Sequence, residues 1–241
     1  LAYCIKNKIK FIDDFINRKT NSKQQLSKIT NNCVRLSENI IDINPVPIFI
    51  KTTISNNVEI NNEFNIIASG LNDEQLYVHK NQDPNTTAGI FTSQNAYVPY
   101  NNILDMDNMY IKSLKEQISF GISELISTLY NYQGEYKYTI INSWIQKYKS
   151  GTFLSPHNHL RDDNNSKTFS VAYYIDDGDP DTSKTYSGCI SFISNNNLIH
   201  FRPKSGSLLI WEDHLIHLVN PFFSKSNKER FMLSTNISVE F

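Results

Sequence analysis

The stretch "GEYKYTIINSWIQKYKSGTFLSPHNHL" (134–160) marks the change of the chain from a helical to an extended pattern. Successive side chains of a strand point to opposite sides, so alternate residues share one face. Here that face carries Tyr138, Ile140, Asn142, Trp144, Gln146 and Tyr148. The stretch closes with His157 and His159, which the same two-residue period places on one side. We therefore expect a long strand followed by paired imidazoles.

The sequence on either side of this stretch predicts the fold class. Upstream, apolar residues recur at three- and four-residue steps between Ile111 and Leu129, which indicates a helix packed against a sheet. Downstream, short extended runs alternate with turn-rich segments, as in a β-sandwich or barrel. The runs are "FSVAYYI" (169–175), "GCISFI" (188–193), "LIHFRP" (198–203), "SLLIWE" (207–212) and "RFMLSTNISVEF" (230–241). We predict an α+β, mainly β architecture with a jelly-roll core and flanking helices.

The N-terminal residues 1–44 have a different pattern from the rest. An apolar stripe that includes Phe11 and Phe15 predicts a helical extension over residues 1–40. Such a stripe suits either a cap on the domain or a dimerisation element, so a homodimer is one option. Two prolines in "NPVPIFI" (44–50) end the helical pattern, and the run after them suits a strand. We therefore predict one β-rich domain over residues 45–241.

Bulk composition narrows the classes of partner. The 241 residues carry a net charge of −1, which gives no field to recruit nucleic acid or an anionic membrane surface. No apolar run approaches the roughly 20 residues needed to span a bilayer. The apolar segment at the start is too short for a signal peptide. Three scattered cysteines without a C-x-x-C pair are typical of a reducing compartment, so we expect a cytoplasmic protein.

Histidines form the main candidate site. An Fe(II) oxygenase site needs two imidazoles and usually one carboxylate on one face of the metal. His157 and His159 can come from one strand, and His217 in "WEDHLIHLVNP" (211–221) is the candidate from another. His214 is expected at the rim of the site. Asp162 and Asp163 are the alternative carboxylate ligands, although solvation in a loop suits them better.

Arg230 opens the last predicted strand. An arginine at that place could form a forked, charge-assisted pair with the distal carboxylate of a dicarboxylate. Ser234 and Asn236 share its face, and Ser234 could add a hydroxyl contact. Tyr148 is equally a core or a pocket residue. Tyr173 and Tyr174 point to opposite faces, so at most one of them lines the pocket.

The order of these motifs resembles the 2-oxoglutarate and Fe(II)-dependent oxygenases, and it is most like a branch common in marine phages and bacteria. The resemblance covers about residues 45 to 241 and lies in the ordered spacing of motifs that are individually weak. The matching segments are Trp144, "HNH" (157–159), "SVAYYI" (170–175), "SGCISF" (187–192), "PKSGSLLIW" (203–211), "HLVNP" (217–221) and "RFMLSTN" (230–236).

This resemblance implies a double-stranded β-helix that binds Fe(II), with 2-oxoglutarate as co-substrate. The implied reaction couples oxidative decarboxylation of 2-oxoglutarate to hydroxylation of a C–H bond in a substrate that the sequence does not identify. His157 and His217 match the two histidine ligands, and Arg230 matches the residue that grips the C5 carboxylate. The candidate co-substrate contacts are Arg230, Ser234, Asn236 and Tyr148.

Two departures from the family pattern keep alternatives open. His159 stands where most relatives have aspartate, so either three histidines bind the metal or Asp162 or Asp163 completes the site. Met232 stands where the family has serine, which removes one hydroxyl contact. The alternatives are a cupin-like three-histidine metal enzyme that does not use 2-oxoglutarate, and a non-catalytic β-sandwich binding module.

Overall fold

The computed structural model describes residues 34–35, 40–42, 46–70, 77–78, 87–88, 91–92, 102–159, 166–194 and 197–241. Two α-helices and one 3₁₀ turn lie in these ranges: α1 (Asn57–Ser69), the turn Ile103–Asp105 and α2 (Met109–Tyr130). The first strands are β1 (Val34–Arg35), β2 (Ile40–Asp42), β3 (Pro47–Lys51), β4 (Tyr77–Val78), β5 (Thr87–Ala88), β6 (Phe91–Thr92) and β7 (Lys137–Tyr148). The others are β8 (Phe153–His157), β9 (Lys167–Asp176), β10 (Ile190–Ser194), β11 (Asn197–Phe201), β12 (Leu208–Glu212), β13 (His217–Val219) and β14 (Arg230–Glu240).

The strands form two sheets that face each other. The larger sheet has the order β1-β2-β3-β12-β9-β14-β7-β6-β4, and the smaller has the order β11-β10-β13-β8-β5. From β7 to β14 the chain passes from one sheet to the other at each step, except at the β10–β11 hairpin. Four strands of each sheet are built in this way, and their pairings are antiparallel. This arrangement is a double-stranded β-helix, which confirms the predicted fold class.

Two apolar clusters lie on the two faces of the larger sheet. Because strand residues alternate, neighbours in β9 take part in different clusters: Val171 and Tyr173 face the helices, whereas Ala172 and Tyr174 face the smaller sheet. The inner cluster includes Tyr148, Trp211 and Met232 from the larger sheet. It also includes Ile190, Phe192, Phe201 and Val219 from the smaller sheet. The space between the sheets is therefore where a site can be built.

Helix α2 lies against the outer face of the larger sheet, as its period predicted. Its buried stripe is Ile111, Leu114, Ile118, Gly121, Ile122, Leu125 and Ile126. The helix begins after Asn108, whose side chain accepts from the backbone N–H groups of Tyr110 and Ile111. A Cβ at Gly121 would lie 2.6 Å from Ile210 Cδ1 and 2.9 Å from the Phe49 ring. The glycine thus allows close approach of helix and sheet.

The predicted inward face of β7 is correct only for its second half. The pairing with β14 runs from Asn236 opposite Asn142 to Ile237 opposite Ile140, so Ile141 is an extra residue in β7. A β-bulge of this kind reverses the faces on its two sides. Tyr138 and Ile140 therefore pack with the helices, and the prediction that they share the face of Tyr148 is wrong.

The end of the predicted N-terminal helix is wrong as well. Val34–Arg35 and Ile40–Asp42 are strands, and β2 pairs with β3 at the edge of the larger sheet. Strand pairing and burial of Ile40 outweigh the weak helical pattern there. Residues 1–33 lie outside the described residues. The domain division at residue 44 stays a prediction.

Candidate functional site

Strands β8 and β13 of the smaller sheet bring three histidines together at one end of the barrel. His157 ends β8 and His217 begins β13, and these residues are direct partners across the small sheet. Their ring centroids are 4.2 Å apart. His159 lies two residues beyond β8, where its backbone N–H donates to the carbonyl of Asp213 at 2.9 Å. Its ring centroid is 5.1 Å from each of the other two.

The geometry of this trio suits a divalent metal. The nitrogens that the three rings can offer all lie within 4.8 Å of one another. His217 is buried, and the other two rings are half-buried. Nδ1 of His157 lies 2.8 Å from the carbonyl of Ser155, and Nδ1 of His217 lies 3.0 Å from the carbonyl of Leu215. A carbonyl can only accept, so both Nδ1 atoms are protonated and each Nε2 keeps its lone pair for a metal.

The environment keeps the two strand histidines neutral. Burial lowers the pKa of His157, the hydrogen bond with the Ser155 carbonyl raises it in part, and the nearby His159 adds a smaller lowering effect. Burial and then the imidazole of His157 hold the pKa of His217 well below its usual range. Neutral imidazole is the form that binds metals, so these two histidines need not lose a proton to bind a cation at neutral pH.

The ring of His159, the third histidine, has a different set of partners. Its Nδ1 lies 2.8 Å from Oδ1 of Asn236 and 3.2 Å from Oγ of Ser170. The side-chain nitrogen of Asn236 donates in turn to Oδ1 of Asn142 at 2.9 Å. The barrel wall therefore holds this third imidazole through side chains of β7, β9 and β14.

The remaining candidate ligands are not part of this trio. Asp162 and Asp163 lie outside the described residues. The side chain of His214 is 47% exposed, and its ring lies 3.8 Å from a carboxylate oxygen of Glu212. It is a rim residue, as the sequence indicates. The assignment of His157, His159 and His217 as metal ligands stays a prediction.

Arg230 occupies the interior at the start of β14, opposite Tyr148 of β7. It is fully buried, and no carboxylate of the described ranges forms an ion pair with it. Its Nε donates to the carbonyl of Asp177 at 3.2 Å, and its Nη1 donates to the carbonyl of Gly188 at 2.6 Å. Within the described part of the chain Nη2 has no partner. A buried charge with an unpaired donor is energetically costly, and a bound anion would offset that cost.

Tyr174 lies beside this guanidinium. Cζ of Arg230 is 5.6 Å from the Tyr174 ring and 4.6 Å from the Phe222 ring. The Tyr174 hydroxyl is buried and has no hydrogen-bond partner among the described residues. Burial raises the pKa of this phenol, so it stays a proton donor. Of the two adjacent tyrosines, Tyr174 is the one that faces the interior.

Polar side chains from β7 and β14 lie between the three histidines and Arg230. Gln146 Oε1 accepts from the Tyr148 hydroxyl at 3.0 Å and from the Ser234 hydroxyl at 3.2 Å. Met232 is the interior residue between Arg230 and Ser234. Ser234, Asn236 and Tyr148 thus already bond to neighbouring side chains, and their contact with a co-substrate stays a prediction.

Sequence reasoning missed three residues of this interior. The sequence places Gln146 only on a strand face, and it does not distinguish Tyr173 from Tyr174. It shows Gly188 only as part of a motif, yet a Cβ there would lie 2.3 Å from Nη2 of Arg230. The two-residue period did carry a signal for Gln146, because it shares a face with Tyr148. No sequence pattern could show that Gly188 contacts Arg230, since 42 residues separate them.

Comparisons with known proteins agree with this fold. No protein-family model and no curated protein matches the sequence. Among solved structures, a Pseudomonas putida prolyl-4-hydroxylase matches with a TM-score of 0.56 at 12% identity, covering 83% of this chain and 96% of that one. A prolyl hydroxylase from Trichoplax adhaerens, solved with a hypoxia inducible factor peptide, has a TM-score of 0.53 at 18% identity, with 83% and 86% covered.

A third match is an oxidoreductase of the 2OG-Fe(II) oxygenase family from Burkholderia pseudomallei. Its TM-score is 0.52 at 11% identity, with 79% of this chain and 85% of that one covered. These likenesses show that the chain has the double-stranded β-helix fold found in 2-oxoglutarate and Fe(II)-dependent oxygenases. The resemblance drawn from the motif order is confirmed at that level, and the phage and marine branch stays a prediction.

The two helices of the described ranges can be compared with a membrane-spanning helix. Neither α-helix in them combines the length and the apolar character that a bilayer crossing requires.

Proposed function

We propose that this protein is an Fe(II) and 2-oxoglutarate-dependent dioxygenase. One observation carries the proposal: the same barrel interior holds three converging imidazoles and a buried arginine that has no carboxylate partner among the described residues. A metal binds at the first feature and a dicarboxylate at the second. The shared fold supports the proposal.

The metal would be held by His157, His159 and His217. Each of the three rings has its Nδ1 bonded, which leaves Nε2 to bind the metal. Three ligands on one face leave the other positions of an octahedral ion open. When bound, Fe(II) and 2-oxoglutarate together activate O₂ for oxidation of a C–H bond.

The co-substrate would be held through its C5 carboxylate. Nη2 of Arg230 and the Tyr174 hydroxyl are two neighbouring buried donors that have no hydrogen-bond partner in the described ranges. Both are buried, so water does not offset the missing bonds. A carboxylate placed there would satisfy both donors and neutralise the guanidinium. These residues orient the co-substrate and exclude water, and they take no part in bond making.

The substrate is an oxidisable compound whose class the described residues do not identify. We expect segment 50–105 and the loops to supply substrate contacts, and between residues 71 and 101 this segment is described only at β4, β5 and β6. Cytoplasmic location is part of the proposal and rests on the scattered cysteines. The homodimer also stays a prediction.

A second candidate is a three-histidine metal enzyme that does not use 2-oxoglutarate. The presence of His159 in place of a carboxylate favours it. Arg230 separates the two candidates, because a three-histidine enzyme of that kind has no need of a buried cation at the far end. The first candidate predicts that metal and dicarboxylate bind cooperatively.

The first test is anaerobic titration with Fe(II) and then 2-oxoglutarate, followed by visible absorption. We expect the metal-to-ligand charge-transfer band of chelated 2-oxoglutarate in the wild type and its loss in Arg230→Met. Bound iron without this band would favour the second candidate. If no iron binds at all, both enzymes are excluded and a non-catalytic binding module is left.

A further inference from the structure

The three imidazoles are oriented in two different ways. His157 and His217 each bond to the carbonyl of the residue two positions earlier, Ser155 and Leu215. Those acceptors are backbone atoms of the same segment, so no side-chain substitution removes them. The Nδ1 of His159 instead faces a side chain that is 77 residues away in sequence, that of Asn236.

Asn236 is well placed to impose one tautomer on His159. Its side chain is only 6% exposed, so water does not compete for the bond. Its Nδ2 already donates to Oδ1 of Asn142, which directs its Oδ1 toward His159. An oxygen acceptor at 2.8 Å requires the ring proton on Nδ1. The lone pair is then on Nε2, the nitrogen that a metal needs.

Strand pairing fixes this arrangement. Asn236 lies directly opposite Asn142 in β7 and opposite Ser170 in β9, at the place where the bulge reverses the faces of β7. Ser170 adds a second contact to the same Nδ1 at 3.2 Å. The bulge thus keeps Asn142 facing inward beside Asn236, whereas Ile140 beyond it faces the helices.

We infer that Asn236 is a positioning residue that makes His159 the third metal ligand, with Asn142 fixing the orientation of the Asn236 amide. This inference rests on the proposed function, because it concerns the same metal. Asn236 acts through His159 and does not touch the metal. The role differs from the co-substrate contact that the sequence predicts for this residue.

The test measures Co(II) affinity of the full chain by calorimetry under anaerobic conditions. Asn236→Leu should weaken Co(II) binding by about 10- to 100-fold, as loss of a partner behind a metal ligand typically does. Asn236→Asp keeps an oxygen acceptor at the same place and should bind Co(II) at least as tightly as the wild type. Thr235→Val is the matched control, because it changes the neighbouring buried residue on the opposite face of β14 and should leave affinity unchanged.

A second measurement distinguishes positioning from packing. Nitrogen-15 shifts of the His159 ring in the metal-free protein should show one tautomer, with the proton on Nδ1, in the wild type and Asn236→Asp. Asn236→Leu should show a mixture of both tautomers. This readout does not depend on metal affinity or turnover.

The outcomes separate the inference from the proposed function. If the wild type binds no Co(II), the proposed function itself is wrong. If the wild type binds Co(II) and Asn236→Leu binds it equally well, only the inference is wrong. Equal weakening in Asn236→Leu and Asn236→Asp would also overturn it, because the acceptor would then not matter.

Discussion

The two ends of the barrel interior are built on opposite principles. At the histidine end, which we propose binds the metal and call the metal end, all three imidazoles have Nδ1 bonded, and only their Nε2 atoms are left for a ligand. At the arginine end, one guanidinium is charged and buried and has an unused donor beside an unused tyrosine hydroxyl. We propose that the first end accepts a cation without rearrangement, and that the second end is stabilised when an anion binds to its unpaired donors.

The two sheets supply different parts of this interior. The small sheet supplies His157 and His217 through cross-strand pairing, which fixes them relative to each other. The large sheet supplies Arg230, and Tyr174 lies beside it. A ligand that reaches both ends would join the sheets. We therefore expect metal and dicarboxylate together to stabilise the protein more than either alone.

The largest expected effect comes from removing a ligand at the metal end. His217→Ala should weaken Co(II) binding by a factor on the order of 10²–10³, because zinc-site free energies of about 10–16 kcal/mol are shared among about four ligands. Calorimetry measures this, and 2-oxoglutarate turnover should be abolished. His214→Ala is the control, since that ring is at the rim and outside the trio. Full activity of His217→Ala would exclude the site.

The next effect concerns the arginine end. Arg230→Met should weaken 2-oxoglutarate binding by a factor of about 30 or more, since truncating one partner of a buried charge pair costs about 2–5 kcal/mol. Co(II) affinity without 2-oxoglutarate should be unchanged. The measurement is the rise in melting temperature that 2-oxoglutarate causes in the Co(II) protein.

Arg202→Met is the matched control for this substitution. Arg202 bonds the carbonyl of Thr185 on the surface of the protein and should not affect 2-oxoglutarate. If Arg230→Met and the wild type respond equally to 2-oxoglutarate, the two ends do not share a ligand. The three-histidine alternative would then be the better description.

Acid should destabilise the metal end and leave the arginine end unaffected. Burial lowers the pKa values of His157 and His217, so protonation favours the unfolded chain. The contribution of these histidines to the stability of the metal-free protein is therefore complete above pH about 6.5, where they are neutral in the unfolded chain. This contribution is lost progressively as pH falls below that value. We expect about 1–2 kcal/mol per buried histidine between pH 7.5 and pH 5.

Urea unfolding at the two pH values measures this change. His200 contributes too, because burial lowers its pKa to about 4. The variant His200→Gln should therefore reduce the pH dependence without removing it. Equal stability of the wild type at pH 7.5 and pH 5 would show that the buried histidines do not resist protonation.

Sequence reasoning reached the strands and the site residues to different extents. Period and turn spacing located β3, β7, β9, β10, β11, β12 and β14, because alternation is a local property of the chain. The bulge at Ile141 could not be read, since it depends on register with β14. Ordered motifs pointed to His157, His217 and Arg230. The partners of Nδ1 in His159 lie 11 and 77 residues away, so only the folded chain reveals them.

The smallest effect separates two adjacent tyrosines that look equivalent in sequence. Tyr174→Phe removes a buried hydroxyl without a described partner, so the ligand-free protein should be as stable as the wild type or more stable. Its affinity for 2-oxoglutarate should fall by about tenfold, since a hydrogen bond to a charged group contributes about 1.5 kcal/mol. Tyr173→Phe is the converse, because its hydroxyl donates to Asn61 on the helix side. That variant should lose stability and keep 2-oxoglutarate affinity. The opposite pattern would mean that the anion does not bind beside Tyr174.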